Sequence, residues 1–428
     1  MSERPSRMSR RKFFRKAAMA AGAAAAAPTI ISATALGKNG AVPASDRITL
    51  GAIGIGNRGR YDLNCILWEP DVRVLAVADT RGDNRKRAKS MVDNKYGDKG
   101  CKTYVDYREL LARDDIDTCL IATGPNWHAT MAIATAKAGK DMYCEKPCTK
   151  NIVQSLELAE VMRRTARVFQ GGTQRRNLPN FMFAIRLAQQ GRLGKLTAVH
   201  AHPGGMGTGM SGWLPAQPEP SREEVDWDTY LGPAAWRPYN KRLMHGFGFE
   251  KGGGLTGGGV LEWGSHCVDL CQSANSADDT SPVTYFPPAN GEANSVYANG
   301  VKLIIRGKGW DGLGSCPVRF EGTKGWVETG DSGEIHASSP DLLVGKGATT
   351  RGYPANNHIR DFFQCVRTRG IPKSNADATC HAHITCHATN IAIALNRKLK
   401  FDPKTSMFIG DDEANRFRWE AIRAPWRL

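Results

Sequence analysis

Glu262, His266 and Asp269 stand at i, i+4 and i+7 in the run GGGVLEWGSHCVDL, a spacing that brings all three to one face of a 3.6-residue helix. Such a face sets an imidazole between two carboxylates. Imidazole is suited to taking the proton of a hydroxyl while hydride leaves the carbon, and a placed base contributes about 10²- to 10⁴-fold in rate. Asp269 has a second reading, a helix carboxylate bonded to backbone or to an arginine. Far upstream, GIGNRG places Gly54, Gly56 and Gly59 at G-x-G-x-x-G spacing around Asn57 and Arg58, with Asp79 20 residues after Gly59. Gly54 permits a tight turn, Gly56 lets backbone approach a pyrophosphate, and Gly59 lets the next helix pack on the strand with its N-terminus toward the phosphates. Asp79 is placed to accept from ribose hydroxyls and to repel a 2′-phosphate, which favours NAD. Arg58 and Arg81 keep NADP open, since either can pair with a phosphate.

These residues need elements to carry them. From Ile48, short apolar runs (ITLGAI, VRVLAVAD, TCLIA, DMYCEK, VFQGG) alternate with helical stretches, which predicts an α/β Rossmann domain with a doubly wound parallel sheet over residues 46–170. After Arg176 the runs LTAVHAH, NSVYANGVKLIIRG, CPVRFEG and KGWVET, parted by glycine turns, predict a C-terminal α+β domain over 171–428 with a large open, mostly antiparallel sheet. Helices near 178–190, 260–274 and 376–396 are expected to cover it. The loop 204–259 carries Trp213, Trp227, Trp236 and Tyr239, either as rings that stack on a sugar or as buried anchors of the loop.

The 428 residues carry a formal charge of +16, of which residues 1–16 supply +6. The remaining positive charge is spread without aromatic interleaving, so a nucleic-acid partner is not expected. SRRKFFRK, an uncharged alanine-rich run and the triplet Ala33, Thr34, Ala35 form a basic region, a short apolar region and an A-x-A site. The paired arginines before Phe13 and Phe14 match the twin-arginine type, so residues 1–35 are expected to be an export signal, 36–45 a linker, and the location periplasmic. The apolar run is too short for a stable membrane span. Eleven scattered cysteines argue against a disulfide scaffold, and CHAHITCH (Cys380 to His387) is expected to be a core helix and not a metal site.

The stretch ATGPNWHATMAIATAKAGKDMYCEKP, the run GGTQRR, the GGGVLEWGSHCVDL segment and the ending RAPWRL together resemble the glucose-fructose oxidoreductase/inositol dehydrogenase (Gfo/Idh/MocA) family over essentially all of residues 46–428. The resemblance implies an NAD(P)-dependent oxidoreductase acting on a secondary hydroxyl of a sugar, sugar derivative or cyclitol. Lys146 takes the position of the family's catalytic lysine. Just beyond the fifth strand, a cation there would hydrogen-bond the substrate oxygen and stabilise alkoxide charge. Thr123, Asn126, His128 and Glu145 fall in the same cofactor-side stretch, although His128 equally suits a cap at the start of its helix. Glu262 replaces the family's usual Asp and reaches one methylene further. The C-terminal sheet implies a homo-oligomer. Two other readings use the same residues: redox-neutral cleavage of a glycoside with NAD, and a carbohydrate-binding protein without catalysis.

Overall fold

The structure, a computed structural model, describes residues 42–206, 214–244, 255 and 258–426. The expected export signal and Trp213 lie outside the described residues. Within the short leading unit, Ala44–Asp46 forms a single turn and Arg47 Nε donates to the Val42 carbonyl at 2.9 Å.

The unit Ile48–Leu428 holds two sheets. The first contains β1 (Ile48–Ile53), β2 (Val72–Ala78), β3 (Lys102–Tyr104), β4 (Thr118–Ile121), β5 (Asp141–Cys144) and β6 (Phe169–Gly171), all parallel in the order β3-β2-β1-β4-β5-β6. The runs that form it are apolar on both sides, as a parallel sheet buried on two faces requires. Leu50, Val74, Leu120 and Tyr143 fill one face, and Ile53, Ala76, Ile121 and Met142 fill the other. Strand order reverses beside β1, which pairs with both β2 and β4 and so opens a crevice at the carboxyl ends of these three strands.

The second sheet contains β7 (Leu196–Ala201), β8 (Thr284–Tyr285), β9 (Glu292–Val296), β10 (Lys302–Arg306), β11 (Val318–Gly322), β12 (Gly325–Thr329), β13 (Ile335–Ala337), β14 (Leu399–Asp402) and β15 (Met407–Phe408). Its order is β13-β12-β11-β7-β10-β9-β8-β14-β15, antiparallel except where β7 meets β10. Helices Pro179–Gln189 and Leu261–Ala274 cover one face, where Phe181, Leu187, Val268 and Leu270 pack on Val199, Leu303, Phe320 and Val327. The opposite face carries charged side chains. His336, Glu328, Arg319, His200 and Ile304 align across five strands there, and Arg319 pairs with Glu321 at 2.7 Å.

Two C-terminal helices reach beyond the second sheet. Asn356–Thr368 carries Ile359, Phe362 and Phe363 as an i, i+3, i+4 stripe, and that stripe packs on Leu50 and Tyr143 of the first sheet. Ala376–Leu395, expected to cover the second sheet, packs Ile384, Ala388 and Ile391 on Tyr285, Leu399 and Phe401 at its β8–β14 end, and being apolar around most of its circumference it also lies between helices Leu261–Ala274 and Ile152–Thr165. Its histidines face backbone: His383 Nε2 accepts from the Cys148 amide at 3.0 Å while Nδ1 donates to the Thr379 carbonyl at 2.6 Å. All 11 cysteines are buried free thiols. Among the described residues no helix is long and apolar enough to cross a membrane.

Candidate active site

β1 ends directly in the glycine turn. Gly54 sits at φ +77°, and a Cβ there would lie 2.6 Å from the backbone nitrogen of Thr123, so both conformation and space demand glycine. A Cβ on Gly59 would run into the Gly54 carbonyl, which is how this residue brings its helix against the strand. Gly56 differs: a Cβ there meets nothing within 4 Å. Its bareness therefore serves the open crevice and not the protein's own packing. Helix Asn57–Ile66 begins at this point with Gly56 as N-cap and no side chain capping its first amides, which leaves a dipole end and free N–H groups for phosphate. The turn fits a dinucleotide pyrophosphate.

Asp79 lies across the crevice at the end of β2. Its Oδ2 accepts from the Ile55 amide at 2.7 Å and from Asn84 Nδ2 at 3.1 Å, and its Oδ1 accepts from the Arg81 amide at 2.8 Å. A carboxylate has about four lone-pair sites. One remains on Oδ1, so Asp79 holds the glycine turn and keeps an acceptor position of the kind a ribose hydroxyl would need. The cations that kept NADP open are engaged elsewhere: Arg81 forms a two-pronged pair with Asp83, and Arg58 pairs with Glu145 and Asp62 at 3.0 and 3.1 Å. Asp79→Ala is expected to raise the Kd for NAD by about tenfold or more, the value of one to two charge-assisted hydrogen bonds, and to narrow the preference over NADP. Calorimetric titration with both dinucleotides checks it, and unchanged affinity for both would remove the ribose from this position.

Several residues expected to touch cofactor brace the crevice instead. Glu145 is buried, takes Arg58 Nε on Oε1 at 3.0 Å, and accepts the Lys146 amide on Oε2 at 3.1 Å. His128 has both ring nitrogens against carbonyls, Pro147 at 2.7 Å and Thr123 at 3.1 Å, and so ties the ends of β4 and β5 together. Burial holds its ring below the ordinary histidine range. Asn126 Nδ2 donates to the carbonyls of Leu231 and Tyr230, and Asn57 Oδ1 accepts from Arg60. Of this group, Asn57 is exposed at the start of its helix and Thr123 lies partly open, directly against Gly54.

The proton-handling residues converge from two elements. Lys146 follows β5, and its Nζ donates to the backbone carbonyl of Glu262 at 2.9 Å while lying 5.3 Å from the Trp263 ring centre. Burial lowers its ammonium pKa, against the opposing pull of the Glu262 and Glu145 carboxylates. Helix Leu261–Ala274 supplies Glu262 in its first turn and His266 one turn later. His266 is 3% exposed, and its Nδ1 has no hydrogen-bond partner among the described residues. Such an orphaned polar atom costs on the order of 1–3 kcal/mol, which a substrate hydroxyl or ordered water would relieve. Burial, then the Arg175 and Lys146 charges, drive the ring well below the ordinary histidine value, so it is held neutral as a base must be.

Asp269, expected beside His266 as a catalytic carboxylate, belongs to another cluster. Its two oxygens take Arg176 Nε at 2.6 Å and Nη2 at 2.8 Å, and Asp278 shares that guanidinium at 2.8 Å. Being three residues on from His266 puts Asp269 near the same face, but the buried arginine captures it. The preceding residue is one that sequence reasoning missed. Arg175, 1% exposed, is gripped in two-pronged fashion by Asp331, and it flanks Trp263 at 5.8 Å from the ring centre. Its run GGTQRR was visible, but nothing in the spacing marked the first arginine as facing the base. The loop aromatics divide likewise: Trp227 is buried on Tyr230 and Tyr239, while Trp236 is 61% exposed.

A doubly wound sheet with a dinucleotide cradle, joined to a second domain that delivers a neutral buried histidine near a lysine, defines a two-domain NAD-binding oxidoreductase. Residues 48–173 match the "Oxidoreductase family, NAD-binding Rossmann fold" domain of Gfo/Idh/MocA proteins, and residues 208–428 match the "Oxidoreductase family, C-terminal alpha/beta domain". The chain belongs to the Gfo/Idh/MocA oxidoreductase family. It is 32% identical over 130 residues to a glycosyl hydrolase family 109 protein of Saccharopolyspora erythraea, covering 30% of this chain and 28% of that one. It is 29% identical over 146 residues to a myo-inositol 2-dehydrogenase of Thermotoga maritima, covering 34% and 42%. These matches thus span less than half the length of either curated relative. Among solved structures, myo-inositol 2-dehydrogenase from Lactobacillus plantarum superposes with a TM-score of 0.60 at 17% identity, over 83% of this chain and 100% of that one. Scyllo-inositol dehydrogenase from Lactobacillus casei with bound NAD(H) and scyllo-inositol gives 0.57 at 15%, over 83% and 99%. At such identities the likeness is one of fold.

Proposed function

We propose that the chain oxidises a secondary hydroxyl of a sugar, sugar derivative or cyclitol and keeps its NAD through the catalytic cycle, a second substrate or a later step on the same substrate taking the hydride back. The observation that carries this reading is the neutral, buried His266, whose Nδ1 no described residue satisfies, on the helix whose first turn anchors Lys146. The nicotinamide ring, when bound, accepts the hydride. His266 takes the hydroxyl proton as the C–H bond breaks, Lys146 donates to the same oxygen and stabilises its developing charge, and Glu262 keeps the ammonium in place. The inositol dehydrogenases among the similar proteins support a polyhydroxylated ring as substrate.

Desalted protein mixed with a panel of sugars and cyclitols, and followed by absorbance of reduced nicotinamide, tests the proposal. A substrate that reduces the cofactor supports it, and a complete panel without change counts against it. A second reading, redox-neutral glycoside cleavage, draws support from the family 109 relatives, and product analysis on glycosides separates the two. The run SRRKFF further supports export through the twin-arginine machinery.

The pH profile is set by the same two residues. His266 must be neutral, and its pKa lies well below 6.5, so kcat/KM should hold its plateau below the ordinary histidine range as pH falls. Lys146 must be charged, and its lowered pKa brings the alkaline decline below the ordinary lysine value of about 10.4. An acid limb centred at 6.5 would show that another group acts as base.

A further inference from the structure

We propose that residues 221–232 form a strap over the dinucleotide crevice, and that opening of this strap sets the rate at which NAD enters and leaves. The strap belongs to the sequence after β7, yet it is tied to the first sheet on both sides of β1. On the adenosine side, beyond β2, the Gly82 amide donates to the Glu224 carbonyl at 2.9 Å and the Asp226 amide to the Thr80 carbonyl at 3.1 Å. Arg81 and Val225 form a bridge there, and Arg85 Nη2 reaches the Glu223 carbonyl at 3.3 Å. On the far side, beyond β4, Trp127 Nε1 donates to the Thr229 carbonyl and Asn126 Nδ2 to the Leu231 carbonyl, each at 2.9 Å.

Only two residues, Trp227 and Asp228, lie between Asp226 and Thr229, so the crossing is short. Asp226 starts it by capping helix Trp227–Leu231, accepting from the Thr229 amide at 3.1 Å. Arg423 locks the exit, with Nη1 on Asp228 Oδ1 at 2.6 Å and Nε on the Gly232 carbonyl at 3.0 Å. Trp227, Leu231, Val225 and Leu243 bury one another, so the strap has a core of its own and behaves as a body and not as a loose loop. β2 and β4 flank β1 in the sheet, and a segment fastened beyond both spans the mouth above the glycine turn. A dinucleotide lying from Asp79 to Lys146 cannot leave that mouth until one anchor line breaks. The cost of release is therefore local unfolding of the strap added to the loss of Rossmann contacts. Asn126, expected at the cofactor, acts through this anchoring.

The inference rests on the dinucleotide site alone and survives if the sugar panel fails. The test uses full-length protein isolated with its nucleotide, mixed with excess isotope-labelled NAD, and the label bound over time is read by mass spectrometry without any substrate. Gly82→Ala is the informative variant, because its Cβ would lie 2.6 Å from the Glu223 carbonyl and push the adenosine-side anchor away. Label should enter this variant about tenfold faster than wild type, the factor for one to two lost backbone hydrogen bonds. Equal rates in both, wild-type exchange complete within mixing, or protein isolated without nucleotide would each overturn the proposal. Hydrogen exchange of the wild-type amides of Gly82 and Asp226 decides the matter even if the variant fails to fold. Opening no faster than label entry supports the strap, and opening far faster than label entry refutes it.

Discussion

His266→Ala lowers kcat by about 10²- to 10⁴-fold while the Kd for NAD stays within about twofold, since a placed general base contributes that much to the chemical step and this one stands apart from the dinucleotide cradle. Among the described residues the site has no substitute. Glu262 sits beside the Lys146 ammonium, His128 is bound at both nitrogens, and Asp269 is clamped by Arg176. Steady-state kinetics on the best substrate of the panel, with calorimetric NAD titration, measures both quantities. A loss confined to KM would reassign His266 to substrate binding, and a matching loss of NAD affinity would place it at the cofactor.

The second large effect is on stability. Asp269→Ala leaves the buried Arg176 with Asp278 as its remaining carboxylate partner, and breaking one side of a buried pair costs about 3–5 kcal/mol. Thermal melts at matched NAD concentration should show a fall in Tm, with per-molecule activity largely kept below the transition. Burial raises the Asp269 carboxyl to about 6 although Arg176 pulls it down. The folded chain thus holds that proton more tightly than the unfolded chain, whose aspartate titrates near 3.9. Stability from this group is present below about pH 4 and declines as pH rises through about 6, a slope that Asp269→Ala abolishes. Unchanged stability with lost turnover would return Asp269 to the catalytic set.

Local rules carried the cofactor half of the protein. The glycines at 54, 56 and 59 and the acid at 79 fall within one β-α-β unit, so their spacing together with the strand before them and the helix after them exposes them. The parallel sheet was legible for the same reason, because burial on both faces writes unbroken apolar runs into each strand. The long crossing helix was legible in part: a helix apolar around most of its circumference does not say which partners surround it, and Ala376–Leu395 packs on two other helices as well as on the expected sheet.

Charge was the least legible property. Arg58 and Arg81 read along the chain as cations near a phosphate, and nothing distinguished Arg175 or Arg176 within GGTQRR. Each ends on a carboxylate: Arg81 on one two residues away, Arg58 on Asp62 and the distant Glu145, Arg175 on Asp331, and Arg176 on Asp269 and Asp278. Ion pairs between distant residues leave no periodic trace, since coulombic attraction depends on separation in space and on the surrounding dielectric, which the packed tertiary structure creates. By itself the sequence determined the fold class, the nucleotide cradle and the helix that presents His266. Tertiary structure alone decided which acids and bases remain available for chemistry, because only packing brings the competing partners within bonding distance.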